Sequence, residues 1–202
     1  DKQLQLMRYL KGAIGEGPPF SGSRTSYPKG ITITASSDAS HAVHSADGRS
    51  HTGYTLSIGT FSSPFTVCSR AEDGGIGMSP HDSEYMALSR CCREIVYYRQ
   101  FAAELGYPQG QPTEVSTDSQ TSINLTTAHA IPSKSRHISQ HHHFTRDLSQ
   151  KRTITPLKVS THDLPADGLT KTLGPTAFLC FRSQLFHPST IPAPSHLPAF
   201  TV

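Results

Sequence analysis

The change of hydrophobic period at Ser79 constrains this chain more than any other feature. Before it, Ile31, Ile33 and Ala35 alternate with Thr32, Thr34 and Ser36. Thr52 to Gly59 and Phe65 to Ser69 are two further strand-like stretches, so three successive strands, paired as an antiparallel meander, are expected. After it, Leu88, Cys92, Ile95, Ala102 and Leu105 recur at spacings of three, four or seven, which places them on one face of a long helix. Ser79 suits the N-cap, Pro80 the first helical position, and Asp82 supplies the carboxylate of a capping-box variant. Gly106 and Pro108 stop the helix.

Further along, Thr113 to Asp118 reads as a short strand, Ser119 to Thr127 as a brief helix, and the surroundings of Pro132 as a loop. A second helix is expected over Ser135 to Gln150, a strand over Thr153 to Ser160, a turn at Asp163 to Pro165 and a helical start near Ala166. The order β-β-β-α-β-α-α-β-α predicts an α/β protein built on a mixed five-stranded sheet flanked by helices. At 202 residues, 35% of them hydrophobic, the chain can bury one substantial core, expected over 31–187. The Gly-, Pro- and Ser-rich stretch 13–30 reads as a linker behind a helical stub at Leu4 to Leu10. Because the chain opens on Asp1 and the stub looks like the middle of a helix, a piece of a longer protein is expected. The tail 188–202, with four prolines among few large apolar residues, is expected to be disordered.

A formal charge of +3 is compatible with a nucleic-acid partner without establishing one. The four cysteines, Cys68, Cys91, Cys92 and Cys180, include an adjacent pair and show no framework spacing, so a reducing compartment is expected. No apolar run approaches the roughly 18 residues of a membrane span and no signal-peptide pattern is present, which predicts a soluble, intracellular protein with no membrane partner.

Chemistry points to the acids. Asp38 is expected to end the first strand, Glu84 lies in the first turn and a half of the long helix, Asp118 ends the fourth strand, and Asp167 opens the last helix. If the first and fourth strands lie side by side, Asp38 and Asp118 meet at the carboxyl ends of the strands. Adjacent carboxylates repel unless a cation intervenes, and hard divalent ions prefer oxygen ligands. For any single acid a surface charge or helix cap is the commoner role, so position alone leaves both open.

The segments, read in order, resemble the ribonuclease H portion of copia-type retrotransposon Pol polyproteins. Leu6 to Gly12 (LMRYLKG) is similar to the helix that closes the preceding reverse-transcriptase region. Ser37-Asp38-Ala39, followed by Asp47 to Tyr54 (DGRSHTGY), resembles the family's first strand, loop and second strand. Ser79 to Leu88 (SPHDSEYMAL) resembles its helix start, and Ser116 to Ile123 (STDSQTSI) its Asp-containing strand end, with serine where the family usually has asparagine. Arg136-His137-Ile138 with His143-Phe144 resembles the basic helix that follows, and Ala166 to Lys171 (ADGLTK) the terminal motif. The resemblance covers about residues 4 to 187 and implies hydrolysis of the RNA strand of RNA/DNA hybrids during reverse transcription. It implies that Asp38, Glu84, Asp118 and Asp167 hold two magnesium or manganese ions, with no small-molecule cofactor, and that residues 1–12 are the tail of an upstream reverse-transcriptase domain. The chain departs from the pattern at Ser40, where a second Asp is common, at His41, where Trp is usual, and at Ser139, where an acid is usual. Those departures leave room for a decayed copy that binds nucleic acid without turnover.

By the same resemblance, His162, five residues before Asp167, is a candidate for assisting product release. Arg70, Lys134, Arg136 and Lys171, with Arg90, Arg93 and Arg146, are candidate phosphate contacts. Tyr97, Tyr98 and Phe101 are expected in the core or in helix packing. His137, His141, His142 and His143 allow a weaker reading, a zinc-stabilised structural module.

Overall fold

The computed structural model describes residues 2–13, 31–41, 49–59, 63–72, 79–128 and 139–186. Most of the expected linker, the stretch holding Lys134, Arg136 and His137, and the C-terminal tail lie outside these residues.

A first helix, α1 (Lys2–Gly12), precedes the sheet and sets Tyr9 edge-on against Phe178, ring centroids 5.4 Å apart. Alternation then gives the expected meander: β1 (Ile33–Ser40), β2 (His51–Ile58) and β3 (Pro64–Ala71), antiparallel throughout, with Asp38 opposite Gly53 and Tyr54 opposite Cys68. β1 runs two residues past Asp38, so that carboxylate projects from within a strand instead of ending it.

Helix α2 (Pro80–Glu104) begins as the sequence predicts. The Asp82 amide donates to Ser79 Oγ at 3.2 Å, and the Ser79 hydroxyl donates to Asp82 Oδ2 at 2.7 Å, which satisfies one of the amides left open at a helix start. It ends where Gly106 takes φ +88°, a left-handed conformation that costs glycine little, and donates to Ala103 O. Then β4 (Thr113–Thr117) and α3 (Gln120–Thr127) lead, through 128 and beyond, to α4 (Ser139–Gln150), β5 (Ile154–Lys158) and α5 (Pro175–Leu185).

The sheet order is β3-β2-β1-β4-β5, with β4 parallel to both β1 and β5. One face of this mixed sheet is apolar: Ile33, Ala35, Leu56, Val115 and Ile154 pack with Leu88, Cys91, Cys92 and Ile95 of α2 in the principal core. Side chains alternate along a strand, so Asp38, two places from Ser36, stands on the face opposite Ala35.

Three apolar residues of the long helix fall outside the core. Leu105 is 61% exposed because it is the C-cap, and Tyr97 and Phe101, set four apart along the same outward row, are also exposed. Tyr98 does pack inward, against Phe65 at 4.8 Å. The last helical start also differs: Pro165–Leu169 is a 3-10 turn, and α5 begins only at Gly174-Pro175, a fresh N-cap with proline in the first helical turn. All four cysteines are free, and among the described residues no helix is long and apolar enough to cross a membrane.

Candidate metal centre

Three elements deliver three acids to one point. Asp38 comes from the middle strand β1, Asp118 follows the end of its parallel neighbour β4, and Glu84 comes from the first turns of α2. One carboxylate oxygen from each lies within 4.8 Å of the other two, and among the described residues this is the group able to hold a metal ion. Pairing β1 with β4 is what makes it possible, since strand order reverses there and ligands gather at such a switch point.

The electrostatics are those of a site short of positive charge. Asp38 is buried, and burial pushes its carboxyl up to about 6, partly offset by Thr170, whose hydroxyl donates to Asp38 Oδ2 at 2.6 Å. Burial, and then the charges of Asp38 and Asp118, push Glu84 up to about 8, against the pull of the Ala39 amide. Glu84 Oε2 is buried with no hydrogen-bond partner among the described residues. Asp118 accepts from the Thr161 hydroxyl at 2.7 Å. A buried orphan oxygen among three converging carboxylates fits a hard divalent cation, which would replace the proton on Glu84 and supply the missing partner.

Asp167 stands outside this group of three, on its 3-10 turn, and pairs with Lys171 four residues on. The turn docks closely: a Cβ at Gly53 would lie 2.8 Å from Ala166 O and 2.9 Å from Leu169 Cβ, so only glycine allows this approach. Ser69 Oγ donates to Leu169 O at 2.7 Å and ties the same turn to β3.

No protein-family model matches the chain. It is 31% identical over 176 residues, 87% of its length, to the retrovirus-related Pol polyprotein from transposon TNT 1-94 of Nicotiana tabacum. It is 29% identical over 181 residues, 90% of its length, to that from transposon RE1 of Arabidopsis thaliana. The chain spans only 12% of the length of either polyprotein. In three dimensions it is similar to LC11-RNase H1, isolated from compost by a metagenomic approach. The TM-score is 0.51 at 16% identity, over 68% of this chain and 91% of that one. The same protein in complex with RNA/DNA hybrid gives a TM-score of 0.50 at 14% identity, over 68% and 93% of the two chains. This chain is a relative of copia-type transposon Pol polyproteins and has the ribonuclease H fold.

Within that fold the other expected residues scatter. His162 is exposed on the 3-10 turn Thr161–Asp163, and its carbonyl accepts from Gln184 Nε2 at 2.6 Å. Arg70 lines a cleft with Tyr54, Arg90, Arg93 and Glu94 on the α2 side of the sheet, opposite the face that carries Asp38. Arg90 forms an ion pair with buried Glu72, which also accepts from Thr52 Oγ1. Lys171 is at the acidic site itself. His141 Nδ1 lies 3.0 Å from Ser89 Oγ, and burial with the nearby Arg93 and Arg90 lowers its proton affinity; it belongs to no metal-binding group among the described residues. His41, at the position where the family usually has Trp, contacts Ser83 Oγ at 3.2 Å, beside Glu84.

Two supports were missed. Thr170 lies inside the terminal motif Ala166 to Lys171, where a hydroxyl beside an acid is a signal for a bridging donor. Thr161 carries no such signal, because its partner Asp118 is 43 residues away.

Proposed function

We propose that this chain is a divalent-metal-dependent ribonuclease H that cleaves the RNA strand of RNA/DNA hybrids internally, as part of retrotransposon reverse transcription. The observation that carries the reading is the convergence of Asp38, Glu84 and Asp118, with the orphan Glu84 Oε2 among them. The ribonuclease H fold and kinship with transposon Pol polyproteins support the choice of substrate class.

In this reading Asp38, Glu84 and Asp118 would hold one magnesium or manganese ion, and Asp38 with Asp167 would hold a second. Such ions, when bound, lower the pKa of an attacking water and neutralise charge on the departing oxygen. The chain's own residues do the positioning. Thr170 fixes Asp38, Thr161 fixes Asp118, and the Ala39 amide holds Glu84. Lys134, Arg136 and Arg70 are proposed phosphate contacts, and His162 a proposed aid to product release. An upstream reverse-transcriptase domain, to which residues 1–12 would belong, is the proposed protein partner, and the reaction would run inside the cell, in cytoplasm, nucleus or a virus-like particle.

The departures Ser40, His41 and Ser139 favour one competing reading, a remnant that binds hybrid without turnover. One experiment separates them. Purified protein is incubated with end-labelled RNA/DNA hybrid and magnesium, with Asp118→Asn as control. Cleavage by the wild type of more than about a hundredfold above the control is expected. Hybrid binding with cleavage no greater than the control's identifies the remnant.

A further inference from the structure

Among the described residues no cationic side chain pairs with the carboxylates of Asp38, Glu84 or Asp118, Lys158 Nζ donating only to the Asp118 backbone carbonyl, whereas the carboxylate of the fourth acid has a cation partner. Lys171 Nζ donates to Asp167 Oδ1. The segment between them is folded back on the site: the Thr170 hydroxyl, 5% exposed, donates to Asp38 Oδ2 at 2.6 Å and lies 3.0 Å from Asp167 O. Lys171 thus springs from a residue anchored on the first acid and reaches the fourth. Its charge also acts on Asp38 and Glu84.

An ammonium has three donors and no lone pair, so it can neutralise a carboxylate but cannot share a metal with it. While Lys171 holds Asp167, a divalent ion arriving there meets a carboxylate already satisfied and a fixed positive charge beside it. The Lys171 side chain is 45% exposed, on a flexible four-carbon stem, so a strand phosphate can draw it off.

We propose that Lys171 is a tethered cation standing in for the second divalent ion: the free protein takes one ion, at Asp38, Glu84 and Asp118, and admits a second only when Lys171 leaves Asp167. This rests on the metal-site reading above and adds to it an order of loading. Lys171 is a positioning residue that gates the acid it pairs with, and it touches no reacting atom.

The test counts ions without nucleic acid. Manganese is titrated into wild type, Lys171→Met and Lys171→Arg at pH 7.5, free ion is read by electron paramagnetic resonance, and melting curves check folding. Wild type and Lys171→Arg should bind one equivalent. Lys171→Met should bind two, with the second tightened tenfold or more, on the order expected for removing a unit charge a few ångströms away. If Lys171→Met does not melt cooperatively, Lys171→Gln takes its place. Two tight equivalents on wild type, or one on wild type and on the neutral variants alike, overturn the gating role and leave the three-carboxylate site standing. No binding by any form overturns the metal site itself and the gating with it.

Discussion

Glu84 reaches the site from the helix side, accepts from the Ala39 amide and leaves Oε2 buried without a partner. With its carboxyl pushed up to about 8 and that of Asp38 to about 6, the folded, metal-free protein holds protons that the unfolded chain releases near pH 4 to 4.5. A group whose folded pKa is raised contributes stability that is complete below the unfolded value and is lost as pH rises through the folded one. The melting temperature in EDTA should therefore fall between pH 5 and pH 8, and Glu84→Gln should flatten that fall. Magnesium should reverse it, raising the melting temperature more at pH 8 than at pH 6, because only the ionised acid binds metal. Thermal melts at four pH values, with and without metal, check both signs. These acids could be singled out in the sequence through motif order, although Asp38 projects from within β1 instead of ending it. Their environments were not legible, since neither Thr161 nor Thr170 stands near its carboxylate partner in the chain.

Among the elements, the 3-10 turn Pro165–Leu169 depends most on close packing, because it lies on β2 where Gly53 has no side chain. Gly53→Ala must push the turn outward, taking Thr170 from Asp38 and Asp167 from the site. Overpacking of this kind costs about 1 to 3 kcal/mol, readable by urea denaturation. Metal affinity should drop by more than the stability loss alone accounts for, while the far-UV circular dichroism of the sheet and α2 is kept. The start and stop of α2 could be read residue by residue, because Ser79, Pro80 and Gly106 act locally. Its outward row could not: Tyr97, Phe101 and Leu105 look like core in a one-dimensional pattern, and only the place of the helix on the sheet leaves them exposed. Likewise Ala166 promised a helix, but the segment from Pro165 to Leu169 is a single 3-10 turn. A Cβ at Gly168 would run into the ring of Phe181 on α5.

For the whole molecule, the order of elements was enough to foresee a meander continued by alternating helices and strands, and the pairing of β1 with β4 follows from that topology. A net charge of +3 is small for a partner as charged as a duplex, so hybrid affinity should rest on a few local contacts. The expected salt dependence is correspondingly shallow, a log-log slope of about −2 to −4 for a handful of neutralised phosphates. It can be measured by anisotropy with Asp118→Asn, which keeps the bulk of the cationic surface while removing turnover. The outer strand β5 carries Pro156 in its middle and Lys158 at its end. A proline in a strand is tolerated where its nitrogen faces outward, and there it withholds a donor that an incoming strand would need. Pairing of another strand along that edge is thereby disfavoured, so whatever meets this side of the sheet has to engage it through side chains instead of backbone.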